Sequence, residues 1–183
     1  MTTMTTMTKR SITVVLAATA LVLTFAVSAL AAPTQQVPFK EDLSGGVTNV
    51  VLAENFVDGE TFDGRCSEPS QMLTSMAGTG TVSHMGRVSW TSQHCTQLFA
   101  GTFGDATLVI TAANGDSLYG TYSGWMTGET SFAEIMTIIG GTGRFAGATG
   151  IVSEAGSYDA ATFELGIRGE GWIFYDASQR ASH

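Results

Sequence analysis

Positive charge is scarce. The 183-residue chain carries eight Lys and Arg against sixteen Asp and Glu. Such an acidic chain repels phosphate backbones and anionic membrane surfaces, which excludes nucleic acid as an expected partner. Only three prolines occur, and no long stretch repeats apolar residues at helical spacing, which argues against a helical bundle. Asn-x-Ser/Thr is absent, so N-glycosylation is not expected. The serine-hydrolase elbow Gly-x-Ser-x-Gly is also missing. Gly120-Thr121-Tyr122-Ser123-Gly124 comes near it with the wrong spacing. Only His84 and His94 stand within the body of the chain as imidazole bases, with His183 at its C-terminus, so a catalytic triad is poorly supported.

The one long apolar run lies at the N-terminus. Lys9-Arg10 precede an uncharged stretch, Ile12 to Leu30, that closes on Ala29-Leu30-Ala31. A positive segment, an apolar segment and a small-x-small site are the three parts of a secretory signal. Cleavage after Ala31 is expected, leaving residues 32–183 as a single domain, secreted or periplasmic and free of the membrane. The alternative is an uncleaved anchor, because the run is nearly long enough to span a bilayer. Alanine rather than cysteine follows the cut, which argues against a lipid anchor. Cleavage removes Lys9 and Arg10 and no acidic residue. The mature chain then has six basic against sixteen acidic residues, a net charge of −10, and Lys40 as its only lysine.

Both cysteines, Cys66 and Cys95, belong to the mature part. An even pair outside the cytosol is expected to form a structural disulfide. No metal site is expected. His94 and Cys95 are adjacent and would point to opposite faces of a strand, and neither His84 nor Cys66 supplies a ligand spacing.

What the chain has in excess is glycine. All 22 follow residue 44, and they separate short alternating runs. This pattern predicts an all-β sandwich or barrel. Strands are expected at Val37–Leu43, Val47–Ala53, Leu73–Ser83, Met85–Thr91, Ala106–Ala112, Asp116–Met126, Phe132–Ile139, Ala148–Glu154 and Thr162–Ile167. The last continues past Gly169 and Gly171, a suggested bulge or bend, into Trp172–Tyr175. Asn114-Gly115 suits a type I′ hairpin turn. Glu54 to Gln71, with five acidic residues, reads as a long loop pinned by Cys66. About eight antiparallel strands in such a chain can close into a barrel with room for side chains or one small ligand.

Gly141-x-Gly143-x-x-Ala146 loosely matches a dinucleotide fingerprint. That motif needs a following helix to hold the pyrophosphate, and the strand-like Ala148 to Val152 follows instead. No nucleotide cofactor is expected, and the segment reads as a tight glycine-built connection. Glu134 shares a strand face with Phe132, Met136 and Ile138. A carboxyl among apolar neighbours has a raised pKa, which suits a general acid or base. The opposite face, Ala133, Ile135, Thr137 and Ile139, is about as apolar, and in that register Glu134 faces solvent. Tyr119, Tyr122, Trp125, Trp90 and Trp172 are candidate cavity walls, offering broad apolar surfaces with one directional hydrogen bond each. Ordinary core packing is the competing role for each.

Three segments together resemble the allene oxide cyclase-like barrel family, related in fold to dirigent proteins. They are Gly78-Thr79-Gly80 with Val82 to Arg87, Thr111 to Gly124, and Gly140 to Gly150; the last resembles a Gly-Gly-Thr-Gly-x-Phe turn of dirigent proteins. The resemblance implies an eight-stranded barrel around a largely apolar cavity. It also implies binding of a small hydrophobic molecule and confinement of that molecule for cyclisation or isomerisation without a cofactor. A homo-oligomer, dimer or trimer, is implied as well. The rival expectation is a non-catalytic extracellular binding or structural barrel whose interior is filled by its own side chains. The matching motifs are turns and strand starts, so no catalytic residue is carried over from them.

Overall fold

The computed structural model describes residues 35–53, 65, 66, 70 and 72–176. The expected export signal, most of the 54–71 segment and His183 lie outside the described residues. Eight strands follow in order: β1 (Gln35–Leu52), β2 (Met72–Val82), β3 (Gly86–Gln97), β4 (Thr102–Ala112), β5 (Ser117–Met126), β6 (Ser131–Gly141), β7 (Thr149–Tyr158) and β8 (Glu164–Tyr175). Each pairs antiparallel with the next, and β8 returns to β1, closing the barrel.

The expected strands are all present, most of them longer and with some boundaries redrawn. The runs at Val37 and Val47 form one 18-residue strand, β1. Its Gln35–Gly46 part pairs with β8 and its Glu41–Leu52 part with β2, so Glu41–Gly46 bonds on both sides. Gly45 does not turn the chain there. A Cβ on it would overlap the Ala77 carbonyl and the Trp90 ring, so the glycine permits close packing inside the barrel. Gly169 and Gly171 likewise make no bulge, because β8 pairs with β1 and β7 without a register shift.

The hairpin between β4 and β5 lies where Asn114-Gly115 placed it, with a different turn. Gly115 N–H donates to the Ala112 carbonyl, and only Gly115 (φ +89°) has positive φ in the loop. The connection is therefore the three-residue form with glycine in the left-handed position, rather than type I′. Asn114 Nδ2 bonds Asp116 Oδ2 at 2.9 Å and tightens the loop. The Gly140–Gly147 segment is the tight connection expected. A 3-10 turn, Gly143–Phe145, drops the fully buried Phe145 ring onto the barrel end.

Packing divides the interior in two. At the end bearing the 142–148 connection, Phe145 and Tyr175 meet at 5.1 Å above Phe39, Leu118, Ile138 and Ile173, and this half is filled. Toward the opposite end the inward positions leave space. Outside the barrel, Cys66 bonds Cys95 of β3, and Arg65 donates to the Asp105 carbonyl at 2.6 Å and to Gln93 Oε1 at 3.1 Å. The bridge closes a loop over a sequence separation of 29. Replacing both cysteines by alanine is expected to lower stability by about 3 kcal/mol. Chemical denaturation would read this as a lower midpoint with the strand circular dichroism kept.

Candidate functional site

The unfilled half is a cavity of about 360 Å³, open toward the loops at Leu98–Gly101 and Gly128–Glu129. Its walls are mostly apolar: Met72, Met76, Trp90, Phe103, Leu108 and Phe132 among them. Glycines shape it. A Cβ on Gly124 would strike the Phe103 ring, and one on Gly156 the Phe132 ring. Both rings can therefore lie across the interior.

The polar groups of the cavity come from strand register. Glu134 of β6 lies directly opposite Glu154 of β7, Glu154 opposite Gly169 of β8, and Gly169 opposite Glu41 of β1. All four positions point inward, so three carboxyls from three strands form one row. Gly169 makes the row possible, because a Cβ there would sit against Glu41 Oε1 and 2.8 Å from Glu154 Cγ. Glu134 and Glu154 line the cavity, with Glu41 buried beside them. All three residues are only 5–6 % exposed.

Burial dominates the electrostatics. It pushes the Glu134 carboxyl up from 4.5 to about 7. Glu154 is held well above the ordinary carboxylate range, first by burial and then by the Glu41 and Glu134 carboxyls beside it. Burial raises Glu41 too. A proton shared among such groups is available near neutral pH, which suits general acid–base chemistry. Among the described residues no group of three or more His, Cys, Asp or Glu is arranged to hold a metal ion.

A second polar group faces the carboxyls. The Tyr122 hydroxyl lies 2.9 Å from His94 Nδ1 and 3.3 Å from Ser92 Oγ. The His94 ring stacks on Phe103 at 4.9 Å. Burial lowers the imidazole to about 4, so it is neutral near pH 7. Burial, and next the Glu134 charge, raise the Tyr122 phenol, which keeps its proton. The strand pairing shifts between Gln93 and Cys95, so a bulge falls at His94. His94 nevertheless turns into the cavity while Cys95 faces the outer bridge, as adjacent strand residues should.

Of the residues singled out in the sequence, Glu134, Tyr122 and Trp90 line the cavity. Tyr119, Trp125 and Trp172 do not. They lie on the outer wall, 37 %, 47 % and 51 % exposed, because their strand parity is opposite to that of Leu118, Gly124 and Ile173. Sequence reasoning missed Glu41, Glu154, Ser92 and His94. A signal existed for the first two. Phe39-x-Glu41-x-Leu43 and Val152-x-Glu154 place a carboxylate on an otherwise apolar face, the pattern recognised at Glu134.

These shifts have a sign. A carboxyl raised in the folded state leaves the barrel most stable, as far as that group is concerned, below about 4.5, and stability falls as pH rises through about 7. His94 acts oppositely, removing stability as pH falls from 6.5 toward about 4. Glu134→Gln removes the first effect together with the part of the Glu154 shift that the Glu134 carboxyl supplies, and leaves His94 as the opposing group. The variant is expected to exceed the parent in stability at pH 8 by on the order of 3 kcal/mol, and by much less at pH 4.5. Thermal or urea unfolding at the two pH values checks this, and an equal gap at both would place Glu134 in contact with bulk water.

The sequence matches no protein-family model and, at a significant level, no curated protein. Solved structures do resemble it. The pterocarpan synthase dirigent protein GePTS1 superposes with a TM-score of 0.56 at 15 % identity, over 85 % of this chain and 99 % of that one. The pterocarpan synthase dirigent protein PsPTS1 does so with 0.52 at 14 %, over 79 % and 97 %. The eight-stranded closed barrel described here therefore has the dirigent-protein fold.

Proposed function

We propose that this barrel binds a small, predominantly apolar molecule in its cavity and directs that molecule's cyclisation or isomerisation. The observation that carries the reading is the pairing of a roughly 360 Å³ apolar cavity with inward carboxyls at Glu134 and Glu154. A cavity of this size falls within the range of small-molecule sites. Its half-open interior favours this reading over a barrel packed solid by its own side chains. The dirigent-type fold supports it as well, because the two similar structures are named as synthases.

In this reading the walls hold one conformer of the substrate with its reacting ends together. Glu134 gives its proton to a basic atom of the substrate. A hydroxyl or amine of the same molecule bonds to the carbon that carries the protonated atom as the bond between that carbon and that atom opens, and the proton lost by the attacking group returns to the carboxylate. Reactant and product are isomers, so no electrons are exchanged. Tyr122, its hydroxyl fixed by His94 and Ser92, offers a directional hydrogen bond to a substrate oxygen. The disulfide supports export to an oxidising compartment. Tyr119, Trp125 and Trp172 on the outer wall support contact between copies of the chain in an oligomer.

Native mass spectrometry of the protein exported by its own host, set beside an organic extract, tests binding. One small apolar species at near-stoichiometric occupancy is expected. With that molecule or its precursor as substrate, Glu134→Gln is expected to lower turnover by about 10²–10⁴-fold while binding is largely kept. Unchanged turnover would remove Glu134 from the chemistry.

A further inference from the structure

The three inward carboxyls have no counter-cation among the described residues. Lys40 pairs with Glu170 at 3.0 Å and Arg168 with Asp42 at 3.3 Å, both on the exposed outer wall. Arg144 lies at the closed end, 3.3 Å from Asp116. Arg87 is exposed at the start of β3. Arg65 is held by the Asp105 carbonyl and Gln93 outside the cavity lining, and its charge reaches the cavity at Tyr122, whose phenol it lowers, rather than pairing with a carboxyl of the row. The cavity lining contains no Lys or Arg, and Glu129 adds another carboxylate at its mouth.

The row also holds unused bonding capacity. Glu41, only 5 % exposed, finds no hydrogen-bond partner outside the row among the described residues, and within it meets only the Glu154 carboxyl. Leaving such groups unpaired is costly, and a cation delivered to the row would relieve that cost. The same cavity is lined by the aromatic rings of Trp90, Phe103, Tyr122 and Phe132, a residue class whose ring faces attract cations. Inward carboxyls in an aromatic-lined cavity without Lys or Arg in its lining are the chemistry that recognises an organic ammonium.

We propose that the molecule taken up by this cavity is an amphiphilic organic cation. It would be a compact apolar or aromatic body carrying a protonated amine, the ammonium held by Glu134 and Glu154 and the body by Trp90, Phe103 and Phe132. This rests on the reading of the cavity as a binding site and narrows its ligand class. Carboxylate- and phosphate-bearing molecules are disfavoured, because every carboxyl of the row that ionises repels them. With three carboxyls in one row, one can bind the ammonium while another keeps a proton for chemistry.

Three probes of matched shape test the proposal at pH 8: 2-(aminomethyl)naphthalene as the ammonium, 2-naphthalenemethanol as its neutral counterpart and 2-naphthoate as the anion. Titration is followed by fluorescence and calorimetry. The ammonium is expected to bind at least about tenfold tighter than the alcohol, the difference of roughly 1.4 kcal/mol that one charge-assisted contact supplies. The naphthoate is expected to show no saturable binding. In the double variant Glu134→Gln/Glu154→Gln, confirmed folded by circular dichroism, the ammonium preference should fall toward unity while the alcohol still binds. Equal or tighter binding of the alcohol by the parent overturns the cation proposal and leaves the cavity as a binding site. So does binding of the naphthoate, or an ammonium preference that survives in the double variant. No binding of any probe overturns both readings together.

Discussion

Closure of the barrel between β1 and β8 is the constraint on which the rest depends. The 18 residues of β1 reach far enough to bond β8 along one part and β2 along another, with Glu41–Gly46 bonded on both sides. This removes the free edges that an open eight-stranded sheet would present. It also fixes every strand parity at once. Once Phe39 and Leu43 face inward, Glu41 must do so too, and the pairing carries that choice through Gly169 and Glu154 to Glu134. A one-residue slip would send all of these carboxyls to solvent.

Glycine decides how the enclosed volume is used. At one end the Phe145 ring and the large side chains of Phe39, Leu118 and Ile173 fill the interior. In the other half Gly45, Gly124, Gly156 and Gly169 stand at inward positions and leave room for Trp90, Phe103, Phe132 and the two carboxyls. Each of these glycines sacrifices local strand propensity, and in return the neighbouring large group can cross the barrel axis. The abundance of glycine is thus a device for shaping a cavity as well as for turning the chain.

The cavity concentrates opposing demands in one place. Apolar walls make ionisation of Glu134, Glu154 and Glu41 unfavourable, and the carboxyls make those walls less than fully apolar. A barrel selected for stability alone would have glutamine or leucine at such positions. Three glutamates in one buried row cost stability, and the proposed function gives that cost a purpose. The neutral His94, stacked on Phe103 and bonded to Tyr122, holds the phenol in place without adding a positive charge that would quench the row.

Alternation and punctuation made the strand order, the Asn114-Gly115 hairpin and the glycine connection after β6 legible from sequence, because these are local properties of a few consecutive residues. The pairing of Cys66 with Cys95 followed from their number. The inner face of β6 was not legible, since Phe132, Met136 and Ile138 on one side are matched by Ile135, Thr137 and Ile139 on the other. The tryptophans were ambiguous for the same reason: Trp90 and Trp172 are equally apolar, and only closure sets one inside and the other outside. By itself the sequence determined that this chain is an all-β succession of strands, sandwich or barrel, and its resemblance to a barrel family implied closure. Only the tertiary structure decided that Glu41, Glu134 and Glu154 meet beside an open cavity, because their meeting depends on the register among four strands that no local pattern records.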